Sequence, residues 1–239
     1  MRRGAAHHMS PSDVHLHTGE ASARQEERLP LGWYVRVVRR LVPQGGRVLN
    51  FGCGDGKLLK RLSSQFEAFG YDAAAMARSR CRTDVPDAVI LETWEAQPPA
   101  SFDLVVSVRG MERLAQPLQT VKLLGEKLTA NGILFFAVPN PGGLGRRLKG
   151  PAWFASRESA RGTLLTHGEW AMLLRKAGFE IVRACGDGLW DPPYVGFLPT
   201  GVQRAVFGVP GALQAWWPSA RPFLPAAVGE CLVIIARKP

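Results

Sequence analysis

The chain has 239 residues, of which 46% are hydrophobic, and its mean hydropathy is −0.04. This size and composition indicate one soluble α/β domain with additions, large enough to bury a sizeable core. The formal net charge of +10 permits nucleic acid, an anionic membrane surface or an acidic small molecule as partner. The alternative is that the charge reflects only a compositional bias towards arginine.

The four cysteines show neither paired nor metal-ligand spacing, so a reducing cytoplasm is expected. Residues 1–29 contain four of the five histidines and little apolar material, which predicts a mobile N-terminal tail. No apolar run follows the first arginines, so no signal peptide is expected. A histidine-rich tail can bind metal, but no functional metal site is expected.

Three glycines at alternate positions, Gly52, Gly54 and Gly56, follow a short predicted strand over 48–51. A helix is predicted directly after them over 57–62, from the spacing of its leucines. Glycine lets the backbone approach a ligand closely, and the free N–H groups of a helix start favour an anionic group. This order of strand, turn and helix is typical of a nucleotide-binding corner.

A second predicted strand, 66–72, ends in an acid, Asp72. An acid about twenty residues beyond the glycine turn, at the tip of the neighbouring strand, is where a ribose diol is held. The alternative is that Asp72 only caps the end of the strand.

Further strands are predicted over 88–91, 102–107 and 131–140, with an amphipathic helix over 114–128. Together the segments VLNFGCGDG, AFGYD, LETWEA, FDLVVS, LTANGILFFAVPN and LLRKAGFEIV resemble the class I S-adenosylmethionine (SAM)-dependent methyltransferases. The similarity is greatest to the branch that includes the ubiquinone-biosynthesis O-methyltransferases. It implies a Rossmann-like α/β fold: a seven-stranded, mostly parallel sheet with helices on both faces and an antiparallel last strand.

The resemblance also implies SAM as cofactor and S-adenosylhomocysteine as product. The glycine turn would lie under the methionine part of SAM, and Asp72 would accept hydrogen bonds from both ribose hydroxyls. Trp94 would cover the adenine, unless it packs on a neighbouring helix, and Ser107 would form the floor of the cleft. The implied cofactor contacts are Asn50, Gly52, Cys53, Gly54, Gly56, Tyr71, Asp72, Ala73, Thr93, Trp94 and Ser107.

Three residues depart from the family pattern. Asn50 stands where the family usually has an acid that helps to hold the methionine ammonium, so weaker SAM binding is expected. Arg113 and Arg161 stand where relatives carry histidine. These departures leave open a protein that binds SAM without turnover, as a partner or regulator.

Residues 141–165 are rich in glycine and basic side chains, which predicts a lid or acceptor loop. Its one-sided positive charge suits a phosphate, a carboxylate or an anionic headgroup, and a solvated basic loop is the alternative. The candidate acceptor-binding residues are Arg113, Arg147, Trp153, Arg161 and Trp190.

His167 is the only histidine outside the tail, and it follows Thr166 in a Thr-x-x-Glu capping box that ends at Glu169. A helix N-terminus favours the neutral imidazole, so His167 is the candidate general base. The alternative is an exposed first-turn residue with no chemical role.

The connection over 185–229 is long and aromatic. It has three possible uses: it lines an apolar acceptor site, it inserts into the membrane interface, or it packs as a C-terminal subdomain. The whole of 30–239 is expected to form one methyltransferase domain in the cytoplasm, with contact to the inner membrane through 185–229 as one use of that segment.

The function predicted from these residues is methyl transfer from SAM to an oxygen, less readily a nitrogen or carbon, of a small or lipid-like acceptor. Methylation of RNA is a second enzyme hypothesis, motivated by the basic charge. No RNA-binding motif is visible and the aromatic residues do not interleave with lysines and arginines, so nucleic acid is not the expected partner.

Overall fold

The computed structural model of the chain describes residues 29–158, 163–217, 222 and 224–239. Within them the strands are β1 Arg47–Phe51, β2 Glu67–Tyr71, β3 Val89–Ile90, β4 Phe102–Val108, β5 Leu128–Pro139, β6 Glu180–Gly186 and β7 Cys231–Arg237. The α-helices are α1 Leu31–Leu41, α2 Lys57–Ser63, α3 Ala75–Asp84, α4 Pro117–Lys127, α5 Leu144–Lys149, α6 Phe154–Glu158, α7 His167–Lys176 and α8 Thr200–Trp216. Short 3₁₀ turns cover Met111–Arg113 and Gly150–Ala152.

The strands form one seven-stranded sheet in the order β3-β2-β1-β4-β5-β7-β6. Every pair on the β3 to β5 side is parallel, whereas β7 runs antiparallel to both β5 and β6. The predicted fold class is therefore confirmed. The strand order reverses at β1, whose neighbours are β2 and β4, and open sheets bind ligands at the carboxyl edge beside such a point.

Each face of the sheet carries its own buried core. On one face α1 and α2 pack their apolar side chains, with Tyr34, Leu59 and Leu62 fully buried. On the other face α4 and α7 contribute Leu124 and Trp170, and the Trp170 ring lies 5.0 Å from the Phe136 ring. Helices thus cover both faces, which leaves the carboxyl edge of the parallel strands for a ligand.

Local sequence signals explain where two of the helices begin. The Thr166 hydroxyl accepts a hydrogen bond from the Glu169 N–H while the Glu169 carboxylate accepts one from the Thr166 N–H, so the predicted capping box is present. It starts α7 at His167. In α4, Pro117 occupies the first turn, where its missing N–H costs no hydrogen bond, so the helix begins later than predicted.

The C-terminal connection is tied to the sheet by two buried carboxylates. Asp187 accepts hydrogen bonds from Tyr34 Oη at 2.8 Å, Trp190 Nε1 at 2.6 Å and the Cys231 backbone N–H at 2.8 Å. Glu230 accepts from Trp153 Nε1 at 2.7 Å and Tyr194 Oη at 2.6 Å. These bonds join the connection to α1, the lid and β7.

At the other end of the chain, Leu29 is already buried against α1, so the packed domain includes it. The rest of the predicted tail lies outside the described residues. None of the helices in the described ranges is both long and apolar enough to cross a bilayer.

Candidate active site

The glycine turn after β1 has the backbone that its sequence predicts. Gly52, Gly54 and Gly56 have φ values of +77°, +54° and +78°, in the left-handed region where side chains other than glycine are strained. The Gly52 and Cys53 N–H groups donate to the Tyr71 carbonyl at 2.8 and 2.9 Å, which fixes the turn to the tip of β2. A Cβ on Gly54 would meet nothing within 4 Å, so this part of the turn faces open space.

A narrow cleft runs between the glycine turn, the start of α1 and the end of β4. Asn50 is the buried polar side chain among its lining residues, at the base of the cleft, and it is 1% exposed. Its Nδ2 donates to the Val106 carbonyl at 3.4 Å, while its Oδ1 has no hydrogen-bond partner among the described residues. A buried acceptor without a donor is rare in proteins, and here it suits an incoming N–H group. The cleft is lined by Leu29, Leu31, Asn50, Gly52, Cys53, Gly54, Asp55, Lys57, Leu58 and Val108.

Asp72 directly follows β2 and is also 1% exposed. Its two oxygens accept backbone N–H groups from Gly54 and Ala74, both at 2.9 Å. Burial raises the pKa of Asp72, while those two bonds and the nearby Arg113 charge oppose the rise. Each oxygen keeps a further lone pair. The structure therefore shows the strand-end cap, and the predicted ribose contact stays a prediction.

Arg78 belongs to this site and was not among the residues predicted from the sequence. From α3 its Nη1 donates to the carbonyls of Asp72 at 2.6 Å and Ala73 at 3.1 Å. Its guanidinium also pairs with Glu92, which follows β3, at 3.1 Å. Arg78 thus holds together the ends of two strands on the ribose side. The sequence contained one signal for this role: an arginine one turn into the helix that follows Asp72.

The adenine assignment of Trp94 is wrong. The indole is fully buried and meets the Phe51 ring edge-on, with centroids 5.5 Å apart and planes at 90°. It packs in the core, which was the alternative left open. Thr93 is exposed and donates its hydroxyl to Glu95 at 2.8 Å. Tyr71 packs its ring 5.7 Å from the Phe51 ring, so its side chain also belongs to the core.

Ser107 lies below the glycine turn and does not reach the cleft. It is fully buried, and a Cβ placed on Gly110 would lie 2.8 Å from its Oγ. The Cys53 side chain likewise turns inwards, with its Sγ 3.5 Å from Cys81 Sγ. The hydrogen bond with Cys81 and burial hold the pKa of the Cys53 thiol well above its ordinary value. Only the backbone of Cys53 is therefore suited to a ligand.

Two of the candidate acceptor residues, Trp153 and Trp190, pack on the Phe154 ring with centroids 5.0 and 5.5 Å away. Trp153 is fully buried and donates Nε1 to Glu230, so its assignment to an acceptor site is wrong. Trp190 is half-buried and its Nε1 is fixed by Asp187. Arg147 is exposed on α5, and Arg113 lies in the 3₁₀ turn after β4. Arg161 lies outside the described residues.

His167 is exposed as the first residue of α7. Because α7 precedes β6, which runs parallel to β5, this helix begins at the carboxyl edge of the sheet, the edge that carries the glycine turn. The imidazole therefore lies on the correct edge, although it is not among the residues lining the cleft.

A buried ion pair at the end of β4 was not predicted. Arg109 has a positive φ of 58° and its Nε lies 3.7 Å from Glu112 Oε1. Its guanidinium stacks 4.8 Å from the Phe154 ring centroid, and the Glu112 carbonyl accepts the Thr163 N–H at 2.7 Å. Phe154 and Thr163, which lie before and after residues 159–162, therefore both contact the residues that follow β4. The described residues contain no group of three or more His, Cys, Asp or Glu side chains that could hold a metal ion.

Comparison with known proteins agrees with this geometry. Residues 23–184 match a family described as "Methyltransferase domain", which is more than half of the chain. A protein of Mycobacterium tuberculosis named "Probable S-adenosylmethionine-dependent methyltransferase" is 29% identical over 206 residues, covering 78% of this chain and 70% of that protein. A ubiquinone biosynthesis O-methyltransferase of Idiomarina loihiensis is 29% identical over 105 residues, covering 40% and 43%.

Solved structures agree on the fold. A SAM-dependent methyltransferase of Thermotoga maritima superposes with a TM-score of 0.63 at 19% identity, covering 91% of this chain and 96% of that one. One from Aquifex aeolicus has a TM-score of 0.60 at 15% identity, covering 93% and 100%. Together with the glycine turn and the sheet order, these matches show that the chain belongs to the methyltransferase-domain family and is a SAM-dependent methyltransferase.

Proposed function

We propose that the enzyme transfers the SAM methyl group to an oxygen atom of a small or lipid-like acceptor. The ubiquinone biosynthesis O-methyltransferases among its relatives support oxygen as the receiving atom. The exposed apolar side chains of α8 support a lipid-like acceptor. A nitrogen or carbon acceptor is the less favoured variant.

The observation that carries the proposal is the unpartnered Asn50 Oδ1 at the base of the cleft. We assign it to the ammonium of the methionine part, because an ammonium has three N–H donors and needs buried acceptors. The open side of Gly54 would take the methionine backbone at close range. The remaining lone pairs of Asp72 would accept the ribose hydroxyls beside it.

The cofactor supplies an electrophilic methyl group on a sulfonium, so the protein's main task is to align the acceptor with it. Orientation of this kind lowers a barrier by roughly 7–11 kcal/mol. The lid, anchored through Phe154 on Arg109 and through Thr163 on Glu112, would exclude water from the carboxyl edge. Within the described residues, Arg113 and Arg147 are the side chains proposed to bind an acidic group of the acceptor.

The first test is calorimetry with SAM on the full chain and on Asp72→Asn. The substitution removes a charged acceptor of two hydrogen bonds, so about a hundredfold weaker binding is expected. Asp87→Asn, an exposed change on the loop after α3, is the matched control and should bind as the wild type does. Unchanged affinity in Asp72→Asn would contradict the ribose assignment.

A methyl-release assay on phenol and lipid extracts then tests the acceptor class. Methyl transfer to neither extract, with SAM bound normally, would favour the non-catalytic regulator instead. Salt-sensitive release on RNA would favour the RNA methyltransferase.

His167 is the proposed general base, as the only imidazole in the described residues. If it takes the acceptor proton, His167→Gln lowers kcat by about 10²–10⁴-fold and leaves SAM affinity unchanged. A kcat within about threefold of wild type would show that alignment suffices without this base.

A further inference from the structure

The helix α8 is amphipathic, but its buried side chains are polar and most of its large apolar side chains are exposed. Surface helices normally turn apolar residues inwards and polar ones outwards. In α8 the fully buried side chains are Gln203 and Gln214. Gln203 accepts the backbone N–H groups of Tyr194 and Val195 and donates to two carbonyls, and Gln214 bonds Gly186 and Leu224. The glutamines thus attach the helix to the domain.

The outer face of the same helix is apolar. Five large apolar residues, at alternating spacings of four and three, form one stripe along it and are between 47% and 74% exposed. Phe197 and Trp217 extend this stripe beyond the two helix ends, both exposed. The stripe consists of Val202, Val206, Val209, Leu213 and Trp216. A contiguous apolar patch of this kind marks an interaction site.

A basic groove adjoins the C-terminal end of the stripe. It lies between α1, α2 and Ala215 of α8, and its cations come from Arg36, Lys57, Lys60 and Arg61. The exposed Trp216 and Trp217 follow directly after Ala215. The apolar stripe and the basic groove thus meet at the C-terminal end of α8, where Trp216 and Trp217 adjoin Ala215.

We propose that this surface, the α8 stripe with the adjoining basic groove, docks on an anionic membrane. The chain carries a net charge of +10, so a second copy would bring cations against cations, whereas an anionic bilayer neutralises them. Tryptophan is favoured at the membrane–water interface. A helix with one apolar face and no capacity to span lies in the plane of the interface.

Docking in this orientation has a consequence for the acceptor, which rests on the proposed function. The basic groove and the cofactor cleft share Leu29, Leu31 and Lys57 as lining residues. The mouth of the cleft therefore lies beside the docked surface. A lipid-like acceptor with its reactive oxygen near the headgroups could enter the cleft without crossing water.

The test is co-sedimentation of the full chain with vesicles of phosphatidylcholine alone, or of phosphatidylcholine with phosphatidylglycerol. We expect binding to the anionic vesicles, weakened by salt. Val206→Asp combined with Leu213→Asp should lower partitioning about tenfold or more, because both side chains would lose their apolar contact. The matched control is Met172→Asp combined with Val182→Asp, two residues equally exposed on α7 and β6, and it should bind as wild type.

Two results would overturn the proposal: no binding of the wild type to anionic vesicles, or equal binding by the α8 variant. In the first case, a wild-type dimer that the α8 variant dissociates would assign the stripe to a second copy of the chain. SAM calorimetry on the same variants keeps the two proposals apart. The α8 variant should bind SAM like the wild type, and a wild type that binds vesicles but not SAM would refute the cofactor site alone.

Discussion

Asn50 shows how one residue can set the strength of the cofactor site. Its buried Oδ1 offers a neutral acceptor where the family resemblance expects a carboxylate. Asn50→Asp places a negative charge at this position, and a charge-assisted bond to an ammonium is roughly twice as strong as a neutral one. We therefore expect SAM to bind about tenfold more tightly to this variant in calorimetry.

The same substitution has a cost in the absence of ligand. The Asn50 Nδ2 bond to the Val106 carbonyl is lost, so the free energy of unfolding should fall by about 1–3 kcal/mol. Asn131→Asp adds the same charge at an exposed position near the start of β5, on the opposite edge of the sheet, and should leave SAM affinity unchanged. Weaker binding to Asn50→Asp would show that no cation meets this side chain.

Residue types and spacing located the site but did not show which way its side chains turn. The positive φ of the three glycines follows from their sequence, because few other residues tolerate that conformation. Trp94 and Trp153 lie on the predicted segments, yet both rings pack inwards. A single sequence gives the position of an aromatic residue along the chain, whereas its partners, Phe51 and Glu230, are set by tertiary packing.

At the scale of elements, the strands β1 to β5 and the helices α2 and α4 follow from the apolar patterns of their sequence, and α8 does not. Its sequence contains Pro210 and several glycines, residues of low helix propensity. Tertiary contacts override this preference. Gly211 permits close packing, since a Cβ there would lie 3.3 Å from the Asp187 carbonyl oxygen and 3.4 Å from the Gly188 Cα. Neither contact is visible in local sequence.

The attachment of α8 by Gln203 leads to a stability prediction. Gln203→Leu keeps the size of the side chain but removes the partner of the buried Tyr194 N–H and of the half-buried backbone groups of Val195 and Leu198. We expect a loss of roughly 2–5 kcal/mol in the free energy of unfolding, measured in urea. The exposed Val206→Gln serves as control and should change stability by less than about 0.5 kcal/mol. Equal stability of both variants would show that these bonds do not hold the helix.

At the scale of the whole molecule, the sheet, the lid and the C-terminal connection meet at Asp187 and Glu230. Both carboxyl groups are buried, and burial raises the pKa of Asp187 to about 6 and that of Glu230 to about 7. For Glu230 the hydrogen bonds from Tyr194 and Trp153 and the Lys149 charge oppose this rise, while Asp187 adds to it. The ordinary value for a glutamate is 4.5. Between about pH 4.5 and about pH 7, the folded protein therefore keeps a proton on Glu230 that the unfolded chain has already released.

Stability should consequently fall as the pH rises through this range. The folded state binds more protons than the unfolded state from about pH 4.5 to about pH 7, so Glu230 contributes its full stabilisation below this window and none above it. The shift corresponds to about 3 kcal/mol. Glu230→Gln keeps an oxygen for Trp153 and an N–H for the Tyr194 oxygen but cannot titrate.

Urea unfolding at a series of pH values should therefore show a steeper decline for the wild type than for Glu230→Gln, by about 3 kcal/mol between pH 4 and pH 8. Glu180→Gln, at an exposed pair with Arg237, is the control and should follow the wild-type curve. Parallel curves for wild type and Glu230→Gln would mean that Glu230 is already ionised in the folded protein. In that case a cation such as Lys149 would have to stabilise the charge, and the junction would be held by an ion pair instead of a neutral acid.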